Sequence, residues 1–247
     1  MKAQGGKTIY GAVVGILMLE TRFPRIVGDM GNAATWPFPV FYRTVKGATP
    51  DLVVRKGAAG LKDAFIETAR SLVDEGVDGI TTTCGFLSLF QEDLAAAVGV
   101  PVAASSLSQV PLVQRFLPPG KKVGIITVSK KSLTPDHLIK AGAPVDLPVV
   151  GTENGREFTR AILDDEPEMD VDLCRLDLRD AGRELMAMDP DIGAIVLECT
   201  NMAPYAADLR ADLGVPVYSI WTLVSWFQAG LLPPRFSGAM HDPRISR

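Results

Sequence analysis

Histidine is scarce in this chain. His137 and His241 are the only two, both isolated, so a metal cage built on imidazole is not expected. Cysteine is scarce too: Cys84, Cys174 and Cys199 make an odd count with no C-x-x-C pair, which argues against a disulfide framework or a zinc ribbon. The thiols are therefore read as reduced, in a cytoplasmic protein. There is no basic run and the net charge is −4, so nucleic acid is not an expected partner. No apolar stretch is long enough to span a membrane. The run Ile9 to Leu19 follows Lys2 and Lys7 as a signal peptide would, but it lacks a small-x-small cleavage site and ends in Glu20-Thr21-Arg22. It reads instead as a first parallel strand buried on both faces. G-x-G-x-x-G, a phosphate loop, G-x-S-x-G and H-E-x-x-H are all missing, which weakens nucleotide, serine-hydrolase and zinc-protease readings. Pyridoxal phosphate is not excluded this way, because its Schiff base needs only a lysine.

What is present is a duplication. Residues 78–104 and 193–219 repeat at an offset of 115 without gaps, and nine of the 27 paired positions are identical. Cys84 matches Cys199, Asp93-Leu94 matches Asp208-Leu209, and Gly99-Val-Pro-Val102 matches Gly214-Val-Pro-Val217. One pair of copies describes two related lobes, not a solenoid. In each copy a β-branched run ends at the cysteine, a helical stretch follows, a glycine closes it, and Val-Pro-Val opens another strand. Ligands of open parallel sheets sit beyond the carboxyl ends of strands. Each cysteine lies there, so the two thiols are predicted to face one cleft.

The remaining elements complete an α/β outline. Strands are predicted at Tyr10 to Met18, Val40 to Val45, Lys122 to Thr127 and Val145 to Val150. Helices are predicted at Gly60 to Asp74, Ser106 to Phe116, Thr134 to Gly142, Asp172 to Met188 and Trp221 to Ala229. Residues Thr21 to Pro39 have no period, and their Trp36 and Phe38 mark a specificity loop. Within it Gly28-Asp-Met-Gly-Asn32 reads as a turn rather than a binding loop. The expected architecture is two pseudo-symmetric βαβ lobes, each a short parallel sheet flanked by helices, with the active site between them. Lobe 1 covers residues 1–107 and is completed by 220–247; lobe 2 covers 108–219. At 247 residues and 47% hydrophobic content there is enough chain for both cores.

A thiol has an ordinary pKa of about 8.5, and poising it near 7 takes roughly 2 kcal/mol. A helix N-terminus typically supplies about 0.3 to 1 kcal/mol. The backbone N–H groups after each cysteine, with Thr83 and Thr200, would have to add the rest. With a carbon acid between the sulfurs, one thiolate removes a proton from one face and the other thiol returns one to the opposite face. That inverts the centre without a cofactor. Gly85 and Phe86 amides, Thr127, Thr200 and Asn201 are placed to hold the neighbouring carboxylate and its developing charge. Cys174, in a charged helical pattern, is read as a core residue without a chemical role.

At Thr82-Thr83-Cys84-Gly85, Leu197-Glu198-Cys199-Thr200-Asn201 and Val123-Gly-Ile-Ile-Thr127 the chain resembles the aspartate/glutamate racemase superfamily, with its hydantoin racemases, maleate isomerases and arylmalonate decarboxylases. The resemblance implies a cofactor-independent isomerase site between two lobes. Cys84 and Cys199 would be its opposed acid and base, and Thr200 and the amides around Gly85 its carboxylate ligands. Glutamate racemases carry Asn-Thr after the first cysteine and Thr-His after the second, where this chain has Gly85-Phe86 and Thr200-Asn201. Cys199-Thr-Asn-Met202 is nearer the Cys-x-x-Met of hydantoin racemases, and the presence of both cysteines argues against a decarboxylase. The expected function is racemisation or epimerisation of a small carboxylate, an acidic amino acid or hydantoin-like substrate. The alternatives are a maleate-type cis–trans isomerase with one nucleophilic cysteine and a non-catalytic binding protein for a small acid. The sequence leaves the oligomeric state open, a homo-oligomer included.

Overall fold

The computed structural model describes residues 2–6, 10–11 and 13–234. The polar tail from Arg235, His241 within it, and the start of the first apolar run at Ile9 lie outside the described residues.

Two four-stranded parallel sheets form the frame. The first contains β1 (Val14–Met18), β2 (Val40–Thr44), β3 (Gly79–Thr82) and β4 (Val102–Ala103), in the order β2-β1-β3-β4. The second contains β5 (Lys122–Thr127), β6 (Val149–Gly151), β7 (Ile192–Leu197) and β8 (Val217–Tyr218), in the order β6-β5-β7-β8. The two orders are the same pattern, as a duplicated chain requires. The central strands are buried almost throughout, which is why they read as continuous apolar or threonine runs instead of alternating ones.

Helices cover the sheets: α1 (Lys62–Asp74), α2 (Gln91–Val98), α3 (Val110–Phe116), α4 (Pro135–Lys140), α5 (Phe158–Leu163), α6 (Val171–Met188), α7 (Ala206–Leu213) and α8 (Ile220–Leu231). Helix α1 buries Phe65, Ala69 and Leu72 from one stripe. The glycines that close α2 and α7 are both left-handed, Gly99 at φ 68° and Gly214 at φ 74°, a conformation in which a side chain would be strained. The two copies therefore stop their helices by the same device. Helix α8 packs Ile220, Leu223 and Val224 with Val14 and Ile16 of β1 and Ala103 of β4, returning the chain to the first sheet.

The segment from Thr21 to Pro39 is ordered by its own bonds. Trp36 is buried, donates from Nε1 to the Met30 carbonyl at 3.1 Å, and packs with Met30 against β1 and α8. Trp36 therefore anchors this segment to the core. Neither Trp36 nor Phe38 lines the cavity described below, whereas Phe23 of the same segment does. Helix-like segments Asp51–Arg55 and α5 were not foreseen. Some bounds also move: the expected strand at Val145 starts at Val149, where the paired register with β5 begins. The stretch Ser106 to Phe116 divides into a 3-10 turn, Ser106–Gln109, and α3.

Candidate active site

Each cysteine is delivered by the same local architecture. β3 ends at Thr82, and a 3-10 turn, Gly85–Phe90, begins directly after Cys84; β7 ends at Leu197, and the turn Thr200–Tyr205 begins directly after Cys199. Both cysteine backbones are extended, so the following N–H groups open towards each sulfur. The lobes are joined here by Thr200, whose hydroxyl donates to the Thr83 carbonyl at 2.7 Å.

Cys84 and Cys199 line one cavity of about 20 Å³. Its walls are Leu19, Phe23, Pro50, Val54 and Phe86 from the first lobe and Val128, Ile162 and Leu163 from the second, with Thr83, Glu198 and Asn201 as the other polar members. Of the residues expected at the site, Cys84, Cys199, Thr83, Phe86 and Asn201 are in this wall. Gly85, Thr127 and Thr200 sit one layer back. The Thr83 hydroxyl accepts from Leu19 N at 3.0 Å, and Thr127 donates to Glu198 Oε2 at 2.8 Å, so these hydroxyls are already engaged within the protein. Cys174 is fully buried, away from the cavity, and burial pushes its thiol up to about 12.

Glu198 was quoted in the second motif but not singled out. It is completely buried, and its Oε1 has no hydrogen-bond partner among the described residues. Burial pushes its carboxyl up to about 7, against the hydrogen bonds from Thr127 and the Val128 backbone. The signal was there: a glutamate closing the apolar run Ala194-Ile-Val-Leu-Glu198 is a carboxyl carried into a strand end.

Electrostatics differ from the poised thiols expected from the sequence. Burial, then the charge of Glu198, pushes the Cys84 thiol well above its ordinary value; the N–H groups of Phe86 and Leu87 and the Arg25 guanidinium oppose this and lose. Cys199 is pushed up by burial, by Glu198 and by Cys84, with only the Asn201 N–H pulling strongly the other way. Cys199 Sγ also donates to Asn201 Oδ1 at 3.5 Å, which holds it as a thiol. Asn201 Nδ2 in turn donates to Asp29 Oδ2 at 2.5 Å, and Asp29 Oδ1 accepts from Arg25 Nη1 at 2.8 Å. The Arg25 guanidinium lies 4.7 Å from the Phe23 ring centroid. Residues 28–32 are thus a turn whose Asp29 steadies the second cysteine's neighbour. Among the described residues no group of three or more His, Cys, Asp or Glu is arranged to hold a metal ion, and no helix is long and apolar enough to cross a membrane.

Known proteins share this frame. Unliganded arylmalonate decarboxylase superposes with a TM-score of 0.56 at 15% identity, covering 91% of this chain and 94% of that one. Glutamate racemase from Francisella tularensis, solved with D-glutamate, gives 0.54 at 18% identity over 92% and 85%. These likenesses establish the two-lobed fold of the aspartate/glutamate racemase superfamily. No protein-family model matches the chain. In sequence, a dimethylsulfoniopropionate lyase of Durusdinium sp. clade D is 30% identical over 234 residues, 91% of this chain and 77% of that protein. Dimethylsulfoniopropionate lyase 7 of Emiliania huxleyi (strain CCMP1516) is 31% identical over 236 residues, 90% and 68%. With this identity running through nearly the whole chain, on the fold that brings Cys84 and Cys199 to one cavity, the protein belongs to the dimethylsulfoniopropionate lyase family.

Proposed function

We propose that the protein is a lyase that cleaves dimethylsulfoniopropionate, or a closely similar sulfonium carboxylate, into dimethyl sulfide and acrylate. The observation that carries this reading is the mostly apolar cavity lined by both Cys84 and Cys199 in a chain of this family. A thiolate removes the hydrogen on the carbon next to the carboxylate. The electron pair left behind forms the new carbon–carbon double bond, and the carbon–sulfur bond breaks with its pair going to sulfur. Dimethyl sulfide leaves uncharged, acrylate keeps the negative charge, and the proton on the thiol returns to water.

The wall chemistry fits that charge change. Apolar side chains disfavour a sulfonium relative to the neutral sulfide, so the surroundings favour bond breaking at sulfur. The Phe23 and Phe86 rings are the groups that receive a sulfonium before it leaves, by cation–π attraction. The bound sulfonium also supplies what the empty site lacks, since an opposite charge within roughly 4–6 Å lowers a thiol pKa by about 1–3 units. The substrate thereby helps to form its own base. Elimination needs one base, and Cys84, with N–H groups of two residues and Arg25 favouring its anion, is better suited than Cys199.

Release of dimethyl sulfide from dimethylsulfoniopropionate, read in the headspace by gas chromatography with acrylate by liquid chromatography, is the direct test. Cys84→Ser should lose at least about a hundredfold in rate, a size ordinary for removal of a general base. A second reading, racemisation of a small carboxylate, is favoured by the presence of Cys199, which a one-base elimination does not use. In deuterium oxide that reaction exchanges the α-hydrogen of recovered substrate without releasing sulfide, and such a result would replace the lyase reading.

A further inference from the structure

Glu198 is a carboxyl in the cavity wall whose chemistry the elimination has not used. Its position is built, not incidental. Oε2 accepts from the Thr127 hydroxyl at 2.8 Å, the backbone carbonyl accepts from Ser106 Oγ at 2.9 Å, and the side chain lies against Gly85, where a Cβ would overlap both the Glu198 carbonyl oxygen and Oε1. These contacts leave Oε1 completely buried and without a partner, on a side chain that walls the same space as both sulfurs. A buried oxygen with no partner costs stability unless a ligand completes it.

We propose that Glu198, held as the acid, binds the carboxylate end of the substrate by donating a hydrogen bond from Oε1 across the cavity of Cys84 and Cys199. An O–H donor to a carboxylate is among the stronger hydrogen bonds. It strengthens further as charge builds on the carboxylate oxygens when the α-hydrogen is removed. A buried carboxylic acid used as a donor has precedent as a chemical device. The hydroxyls of Thr83 and Thr127 are spent on internal bonds, so Glu198 supplies the donor that the threonines were expected to supply.

Other charged groups around the site do not mimic this behaviour. Cys84 and Cys199 stay protonated, and Arg25 and Asp29 are paired with each other. His137 sits behind Phe86, its ring 4.8 Å away, and burial lowers its pKa below the ordinary value. Arg22–Asp165 and Arg55–Asp164, next in sequence to wall residues Phe23, Leu163 and Val54, are exposed ion pairs. Among the described groups that line the cavity, Glu198 is the one whose pKa, about 7, falls between pH 6 and 8.5.

The inference rests on the lyase reading for the substrate's identity, so its test uses propionate, the carboxylate fragment alone. Calorimetric titration of the full chain should show propionate binding weaken about thirtyfold from pH 6 to pH 8.5 as Glu198 loses its proton. Glu198→Gln keeps the shape. Thr127 can donate to the amide oxygen and leave Nε2 as the donor, so binding at pH 6 should stay within about threefold of wild type and remain flat to pH 8.5. Thr127→Val removes a bond that favours the carboxylate, so the break should move to higher pH. A flat wild-type profile, an unchanged break in E198Q, or a tenfold loss of propionate binding by folded E198Q at pH 6 would overturn the proposal. So would a loss in E198Q confined to dimethylsulfoniopropionate, which would place Glu198 at the sulfonium end. Propionate binding with the expected break but no sulfide release would sink the lyase reading and leave Glu198 standing. Sulfide release with pH-independent propionate binding would do the reverse.

Discussion

Gly85 has no side chain because Glu198 occupies the place where one would go: a Cβ on residue 85 would fall inside contact distance of both the Glu198 carbonyl oxygen and Oε1. Half of that conflict is with backbone, so rotating the glutamate cannot relieve it. Gly85→Ala should therefore destabilise the fold by about 1–3 kcal/mol, the usual cost of overpacking, and lower turnover by displacing the turn that opens beside Cys84. Urea unfolding checks the first effect; stability within about 0.5 kcal/mol of wild type, half of the least expected change, would contradict it.

The raised carboxyl of Glu198 makes stability fall with pH. Its ordinary pKa is 4.5, and burial in the folded chain raises it to about 7. Below the ordinary value both states are protonated and the fold bears no penalty. As pH rises from there through 7 the unfolded chain releases a proton that the folded chain holds, and stability drops by about 3 kcal/mol before levelling off. E198Q should remove this slope. Urea midpoints at several pH values between 4 and 8.5 measure it, and parallel profiles for the two proteins would show that the slope has another origin.

Both cavity thiols are held protonated by burial and by the charge of Glu198. Iodoacetamide should therefore label Cys84 and Cys199 slowly at pH 7.5, and faster as pH rises, since the thiolate is the reacting form. In E198Q the opposing charge is gone, so labelling at pH 8.5 should accelerate while labelling at pH 6, where Glu198 is already neutral, should not change. Peptide mass spectrometry resolves the sites. Equal rates in both proteins at pH 8.5 would mean that Glu198 does not govern the thiols.

Asp29 holds two partners at once, Arg25 and Asn201, and only 4% of its side chain is exposed. Asp29→Ala leaves a nearly buried guanidinium unpaired and should cost about 3–5 kcal/mol. Adding Arg25→Met removes the orphaned charge and should recover part of that loss. A double variant no more stable than D29A would deny the coupling.

The frame was largely legible because it is periodic and repeated. The matched cysteines, the matched glycines at 99 and 214, and the apolar strands each carry a signal that burial or backbone geometry imposes. Asp51–Arg55 and α5 are one or two turns long and show no period that distinguishes them from loop. Arg25 and Asp29 were equally obscure, since their partner Asn201 lies 172 positions away from Asp29 and nothing local marks the bond. Threonines 83, 127 and 200 were correctly located near strand ends, but a hydroxyl's partner is fixed only when the other lobe is in place: Thr200 bonds across to Thr83, and Thr127 bonds to a glutamate.

The duplication has one further consequence. At the shared offset Thr83 corresponds to Glu198, and Gly85 to Thr200. On one side of the interface a threonine hydroxyl bridges to the opposite backbone, and on the other a bare glycine makes room for a carboxyl. Chemistry that must treat left and right alike is best served by interchangeable halves. A doubled scaffold altered at these two pairs is no longer alike on both sides of its cavity, and on the proposed reading that gives it a direction, as a reaction that runs from one side only requires.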